Sequence, residues 1–217
     1  MDIGSVQRPS KFAWAAFDAP DRDLADQGTD PATAVAALAA GIDSGRPAIL
    51  LLESPMAVPV PSTAGDGWQS LGKARDGEGN RPFSAGAGAG VLATGLVQGS
   101  WMLRLLAETV PAVTVTTRFA VWHGGDAQLL LGEAFVSGTG KPVLAGSDQH
   151  AADAAAAGLA MLDRLDAGEP FTSDVRCAPH GAFNLLAAMA CWAGLHLDPD
   201  EIRDDILVIR ACPALTS

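Results

Sequence analysis

The run Ala48-Ile49-Leu50-Leu51-Leu52-Glu53-Ser54-Pro55 is the stretch of this sequence that decides the fold. Its apolar residues follow one another without polar alternation, which is typical of a strand buried on both faces of a sheet. A helical pattern precedes it, because Pro31 follows a capping residue, Thr29 or Asp30, and apolar residues recur at helical spacing until Gly45. The run therefore predicts a central strand that ends in a carboxylate.

Strands and helices alternate on both sides of this run. Strands are predicted near Asp2, at 12–17, 113–121, 128–136, 171–177 and 206–210, and helices at 89–108, 148–165 and 182–195. This alternation indicates an α/β fold with a mixed central sheet flanked by helices. We expect one domain over residues 1–217, in which residues 55–86 form a long loop facing the functional site. Residues 169–217 would add a C-terminal helix and strand.

Composition limits the classes of function. Hydrophobic residues make up 48% of the 217 residues, so the chain can bury a core. The formal charge of −11 disfavours non-specific binding to duplex nucleic acid. Three widely spaced cysteines and the lack of a leader pattern predict a reducing, cytoplasmic setting. The uncharged stretch at 82–103 is too rich in glycine and polar residues for a membrane span.

Acidic residues fall at positions where strands begin or end. Asp2 lies in the first strand, Glu53 ends the central strand, and Glu133 lies near the end of a later apolar strand. His150 and Asp153 are three residues apart, so they share one face of the predicted helix. Carboxylates gathered at strand ends repel one another unless a hard cation neutralises them. Two divalent ions held by such groups can promote displacement at a phosphodiester.

Three of these motifs, taken in order, resemble RNase H-like nucleases of the RuvC type. Asp2-Ile3-Gly4-Ser5 with the strand Ala13-Trp14-Ala15 resembles their first hairpin, in which the leading Asp binds metal. Leu51-Leu52-Glu53-Ser54-Pro55 resembles the second acidic strand, and His150-Ala151-Ala152-Asp153-Ala154 resembles the late helix that bears the remaining ligands.

The chain is also similar to a domain-of-unknown-function family of predicted RNase H-fold nucleases. That similarity adds Arg75-Asp76-Gly77-Glu78-Gly79-Asn80-Arg81-Pro82-Phe83 and Gly132-Glu133-Ala134-Phe135. The resemblance implies an RNase H-like domain and a nuclease dependent on Mg²⁺ or Mn²⁺. Its catalytic residues would be Asp2, Glu53, His150 and Asp153, and its metal ligands Asp2, Glu53, Glu133 and Asp153. The expected substrate is a structured or single-stranded nucleic acid, and related resolvases act as homodimers.

Cations in the long loop provide a candidate substrate-binding patch. Lys73, Arg75 and Arg81 offer positive charges for phosphates, and Trp68 and Phe83 offer rings for stacking on unpaired bases. We therefore predict that Lys73, Arg75 and Arg81 bind the substrate.

Two other classes of function stay open at this point. A non-catalytic scaffold or binding protein of the same fold is favoured by the net charge and by the short first strand. An actin-like or sugar-kinase-like ATPase also opens with Asp-x-Gly-Ser, but it needs two such domains and a second phosphate loop. We rank the ATPase last.

Overall fold

The computed structural model describes residues 1–4, 11–19, 21–63, 65, 67–68, 71–79, 82–136, 149–168 and 172–211. The strands are β1 (Trp14–Asp18), β2 (Asp23–Gly28), β3 (Ala48–Leu52), β4 (Ala57–Val60), β5 (Val115–Thr116), β6 (Leu129–Phe135), β7 (Gly181–Asn184) and β8 (Val208–Arg210). The helices are α1 (Pro31–Asp43), α2 (Gly86–Thr109), α3 (Phe119–His123), α4 (Gln149–Ala167) and α5 (Leu185–Ala193), followed by a 3-10 turn at Pro199–Arg203.

A parallel sheet of four strands forms the centre of the structure. Strand β6 pairs with β3 along one edge and with β5 and β8 along the other, always in parallel. The apolar runs of β3 and β6 suit such a sheet because helices cover both of its faces. The predicted α/β class is therefore confirmed, whereas the mixed pairing predicted for the central sheet is not seen among these four strands, which are all parallel. The C-terminal region contributes one of them, β8.

Residues 1–3 connect an antiparallel hairpin to the parallel sheet. Strands β1 and β2 form the hairpin, and Asp2 bridges to Ala13, antiparallel, and to Glu53, parallel. The amide of Asp2 donates to the carbonyl of Ala13 at 2.9 Å, and the amide of Glu53 donates to the carbonyl of Met1 at 2.8 Å. Asp2 and Glu53 are therefore neighbours in the backbone ladder.

The apolar core lies on both faces of the sheet. Leu50 and Leu52 belong to a cluster that includes residues of α1, α2 and α5, whereas Leu51 packs with Ala157 and Met161 of α4. This alternation follows from the twofold period of a strand. We refer to the two sides as the α2 face and the α4 face of the sheet.

Several predicted elements differ from those observed. Residues 55–86 are not irregular throughout, because β4 lies there and pairs with β7. The predicted helix at 182–195 begins only at Leu185, where the Asn184 side chain caps it by accepting from the Ala187 amide. The expected strand at 113–121 is the short β5 followed by α3. Of the strand predicted at 171–177, the structure describes residues 172–177, and there one bridge pairs Arg176 with Asp76.

Strand β2 was not predicted because its sequence DLADQG lacks an apolar pattern and most of it is exposed. Helix α1 begins as expected, with the Asp30 carboxylate accepting from the amides of Ala32 and Thr33. Helix α2 contains the glycine-rich uncharged stretch. Among the described residues, no helix combines the length and apolar character needed to cross a membrane.

Candidate metal centre

Three carboxylates converge where the first bridge, the end of β3 and the first turns of α4 meet. Asp2, Glu53 and Asp153 each offer one ligand atom, and these atoms all lie within 4.8 Å of one another. Ile3 packs on the α2 face and Leu51 on the α4 face, so strand alternation points Asp2 and Glu53 toward α4. The register of the bridge therefore brings together groups that are distant in sequence.

Burial makes this cluster costly unless a positive charge joins it. Asp2 is 8% exposed and Asp153 only 1%, while Glu53 is half-buried. Burial raises the pKa of Asp2, its hydrogen bond to His150 opposes that shift, and the nearby Asp153 carboxylate adds to it. A divalent cation with oxygen ligands would relieve both the desolvation and the mutual repulsion.

Two polar side chains at the start of α4 orient the carboxylates. His150 Nδ1 lies 2.5 Å from Asp2 Oδ2, and Gln149 Nε2 donates to Asp153 Oδ1 at 2.7 Å. The prediction that His150 and Asp153 point at one spot is confirmed. Gln149 was missed, although its position four residues before Asp153 was a readable signal, because such residues are neighbours on a helix.

The ligand set matches the chemistry of hard cations. Three carboxylate oxygens would leave the other coordination positions of a cation to water and phosphate oxygens. Mg²⁺ in proteins usually keeps such ligands beside its carboxylates. Asp2, Glu53 and Asp153 would therefore hold Mg²⁺ or Mn²⁺, and His150 and Gln149 would support two of these ligands from outside.

The prediction of Glu133 as a further ligand is wrong. Glu133 pairs with Leu52 in the ladder between β6 and β3, so its side chain points to the α2 face, opposite the three carboxylates. There Glu133 Oε1 and Oε2 accept hydrogen bonds from Arg75 Nη2 and Nη1, each at 2.7 Å. Its charge therefore balances a guanidinium rather than a metal.

Arg75 is likewise misassigned as a substrate-binding residue. It is 3% exposed, and its guanidinium also binds Glu78 Oε1, through Nη2 at 3.0 Å and Nε at 3.2 Å. Burial raises the pKa of Glu133, and Arg75 opposes that rise. Burial lowers the pKa of Arg75, but the two glutamates outweigh it, and the net shift is upward. We call Arg75, Glu78 and Glu133 the Arg75 network.

The other cations of the predicted substrate patch are either exposed or outside the described residues. Lys73 is exposed two residues before Arg75, and Trp68 is 77% exposed. Arg81 lies outside the described residues. Binding of a substrate by Lys73 and Arg81 stays a prediction.

Helix α2 closely approaches the turn that follows Glu53, and this contact can be tested. A Cβ atom at Gly95 would lie 2.2 Å from Ser54 Oγ and 2.5 Å from Met56 Cε. We expect Gly95→Ala to lower the free energy of unfolding by about 1–3 kcal/mol through overpacking, measured by urea denaturation. The matched change Gly90→Ala on the same helix meets no atom within 4 Å. It should be neutral or stabilise by up to about 1 kcal/mol, and an equal loss in both variants would refute the close contact.

Comparisons with known proteins return nothing that identifies this chain. No protein-family model matches it, and no curated protein or solved structure matches it significantly. The function of this protein is therefore inferred from the geometry of the carboxylate cluster.

Proposed function

We propose that this protein is a divalent-metal-dependent phosphodiester hydrolase, a nuclease with an RNase H-like fold. The observation that carries the proposal is the convergence of Asp2, Glu53 and Asp153 within 4.8 Å. These carboxylates come from three separate parts of the chain, so local sequence does not account for their meeting.

The arrangement of the elements supports the same proposal. The first acid lies beside the N-terminal hairpin, the second ends a strand parallel to that segment, and the third lies on a late helix packed against β1. The motifs that resemble RuvC-type nucleases occur in this order. The proposal therefore includes the RNase H-like fold.

The side chains of the cluster have distinct roles in this proposal. Asp2, Glu53 and Asp153 would hold the cation. His150 fixes the orientation of the Asp2 carboxylate, and Gln149 does the same for Asp153. A bound Mg²⁺ or Mn²⁺ would supply neutralisation of the charge that develops on the phosphodiester.

The first test uses the wild-type protein with labelled single-stranded and duplex DNA and RNA. We expect cleavage in Mn²⁺ or Mg²⁺ that is lost in EDTA and returns when the metal is restored. Calorimetric titration with Mn²⁺ should show binding under the same conditions. Absence of cleavage of every substrate, with Mn²⁺ bound, would contradict the hydrolase.

A non-catalytic scaffold of the same fold is the second candidate. Its support is electrostatic: the chain carries a net charge of −11, and most described arginines are already paired with carboxylates, namely Arg22, Arg46, Arg75, Arg104, Arg118, Arg164 and Arg176. Such a surface attracts polyanions weakly. If calorimetry detects no heat of Mn²⁺ binding up to millimolar concentration, that result would favour the scaffold. Nucleic acid as the substrate, a homodimer and a cytoplasmic location stay predictions.

A further inference from the structure

We propose that Glu133, held by Arg75, is a positioning residue that keeps the Glu53 end of β3 in the geometry required for cation binding. The inference deepens the proposed function and rests on it. The network lies on the α2 face, and the carboxylate cluster lies on the α4 face of the same strand end. Glu133 therefore acts through the backbone and would not contact the metal.

The link runs through one backbone amide. Glu133 Oε2 accepts from Arg75 Nη1 at 2.7 Å and also from the amide of Met56 at 2.8 Å. Met56 is fully buried and follows Glu53 by three residues. A hydrogen bond to an ionised, ion-paired carboxylate is stronger than one between neutral groups, so Glu133 holds this amide firmly.

The turn from Glu53 to Met56 is tied at both ends. At its start, the Glu53 amide donates to the carbonyl of Met1 at 2.8 Å, beside Asp2. At its end, the Met56 amide is held by Glu133, and the Met56 carbonyl accepts from the Leu185 amide at 2.8 Å. Loss of the Glu133 charge would weaken the hydrogen bond to the Met56 amide and loosen this end of the turn, although the Met56 carbonyl stays bound to the Leu185 amide. A metal site tolerates displacements of only about 0.5 Å, so a small shift of the Glu53 carboxylate would be enough to weaken cation binding.

Glu78 provides a matched control within the same network. It is as buried as Glu133 and binds the same guanidinium. Its other hydrogen bonds go to the amides of Arg75, at 2.9 Å, and Phe83, at 3.0 Å. Glu78 thus carries the same charge at similar depth, but it binds backbone amides within residues 75–83 rather than the turn after Glu53.

The experiment compares Glu133→Gln with Glu78→Gln by Mn²⁺ titration calorimetry. We expect the Mn²⁺ dissociation constant to rise by about tenfold or more in E133Q, as for supports that lie outside a metal's ligands. The rise in E78Q should stay below about threefold. Urea denaturation of both variants establishes that each is folded and how far each is destabilised. An equal rise of the Mn²⁺ dissociation constant in both variants would show a merely structural or electrostatic role and overturn the proposal. An unchanged Mn²⁺ affinity in E133Q would also overturn it.

A measurement on the wild type covers the case in which E133Q does not fold. Positioning is reciprocal, so Mg²⁺ bound at the cluster should slow hydrogen exchange at the Met56 amide. An exchange rate unaffected by saturating Mg²⁺ would overturn the inference. If the wild type cleaves its substrate while both readouts fail, only the positioning role falls. If the wild type binds no Mn²⁺, the positioning role and the proposed function fall together.

Discussion

Replacing Asp153 with Asn should reduce Mn²⁺-dependent cleavage by more than about 100-fold, the upper range for losing a mere support of a metal ligand. Asn lacks the charge that a hard cation requires, but its side-chain oxygen can still accept from Gln149. The fold should survive, because the change removes a buried negative charge that lies beside Asp2. Initial cleavage rates measure the loss of activity, and thermal unfolding without metal measures the stability of the fold. Glu53→Gln should give the same two results.

Asp163 provides the control for this result. It lies on the same helix, is exposed, and pairs with Arg22 rather than with the cluster. Asp163→Asn should therefore leave cleavage within about twofold of the wild type, as for surface changes remote from a site. Equal cleavage by wild type and Asp153→Asn would remove the basis for the proposed hydrolase.

Replacing Arg75 with Met should lower the free energy of unfolding by about 3–5 kcal/mol, the usual cost of breaking a buried ion pair from one side. The variant would leave the Glu78 and Glu133 carboxylates buried without their counter-charge. Urea denaturation at neutral pH measures the loss. The difference in free energy of unfolding between the wild type and Arg75→Met should become smaller as the pH falls. A buried acid whose pKa is raised in the folded state binds protons more readily in that state than in the unfolded chain, so protonation stabilises the folded variant.

The control for Arg75 is an exposed ion pair. Arg104 pairs with Glu108 across one turn of α2, with both side chains more than half exposed. Arg104→Met should cost less than about 1 kcal/mol. A similar cost for the two replacements, or a loss below about 1 kcal/mol for Arg75→Met, would mean that the Arg75 network contributes little to stability.

Local sequence was sufficient for elements whose signals lie within a few residues. The start of α1 at Pro31, the buried strand β3 and helix α4 all follow from short patterns of apolar and polar residues. The placement of His150 and Asp153 on one helix face was readable in the same way. The exposed β2 and the strand β7 were not, since neither shows a periodicity that distinguishes it from its surroundings.

What the sequence indicated by itself was therefore the α/β class and, among its candidate ligands, the three acids that meet, Asp2, Glu53 and Asp153. Tertiary structure alone decided the place of Glu133 and Arg75. The register of β6 pairs Leu52, not Glu53, with Glu133, and a shift of one residue moves a side chain to the other face of a sheet. No local pattern specifies that register. It depends on how two distant strands and the helices on both faces pack together, and it directs Glu133 to a buried arginine instead of the metal centre.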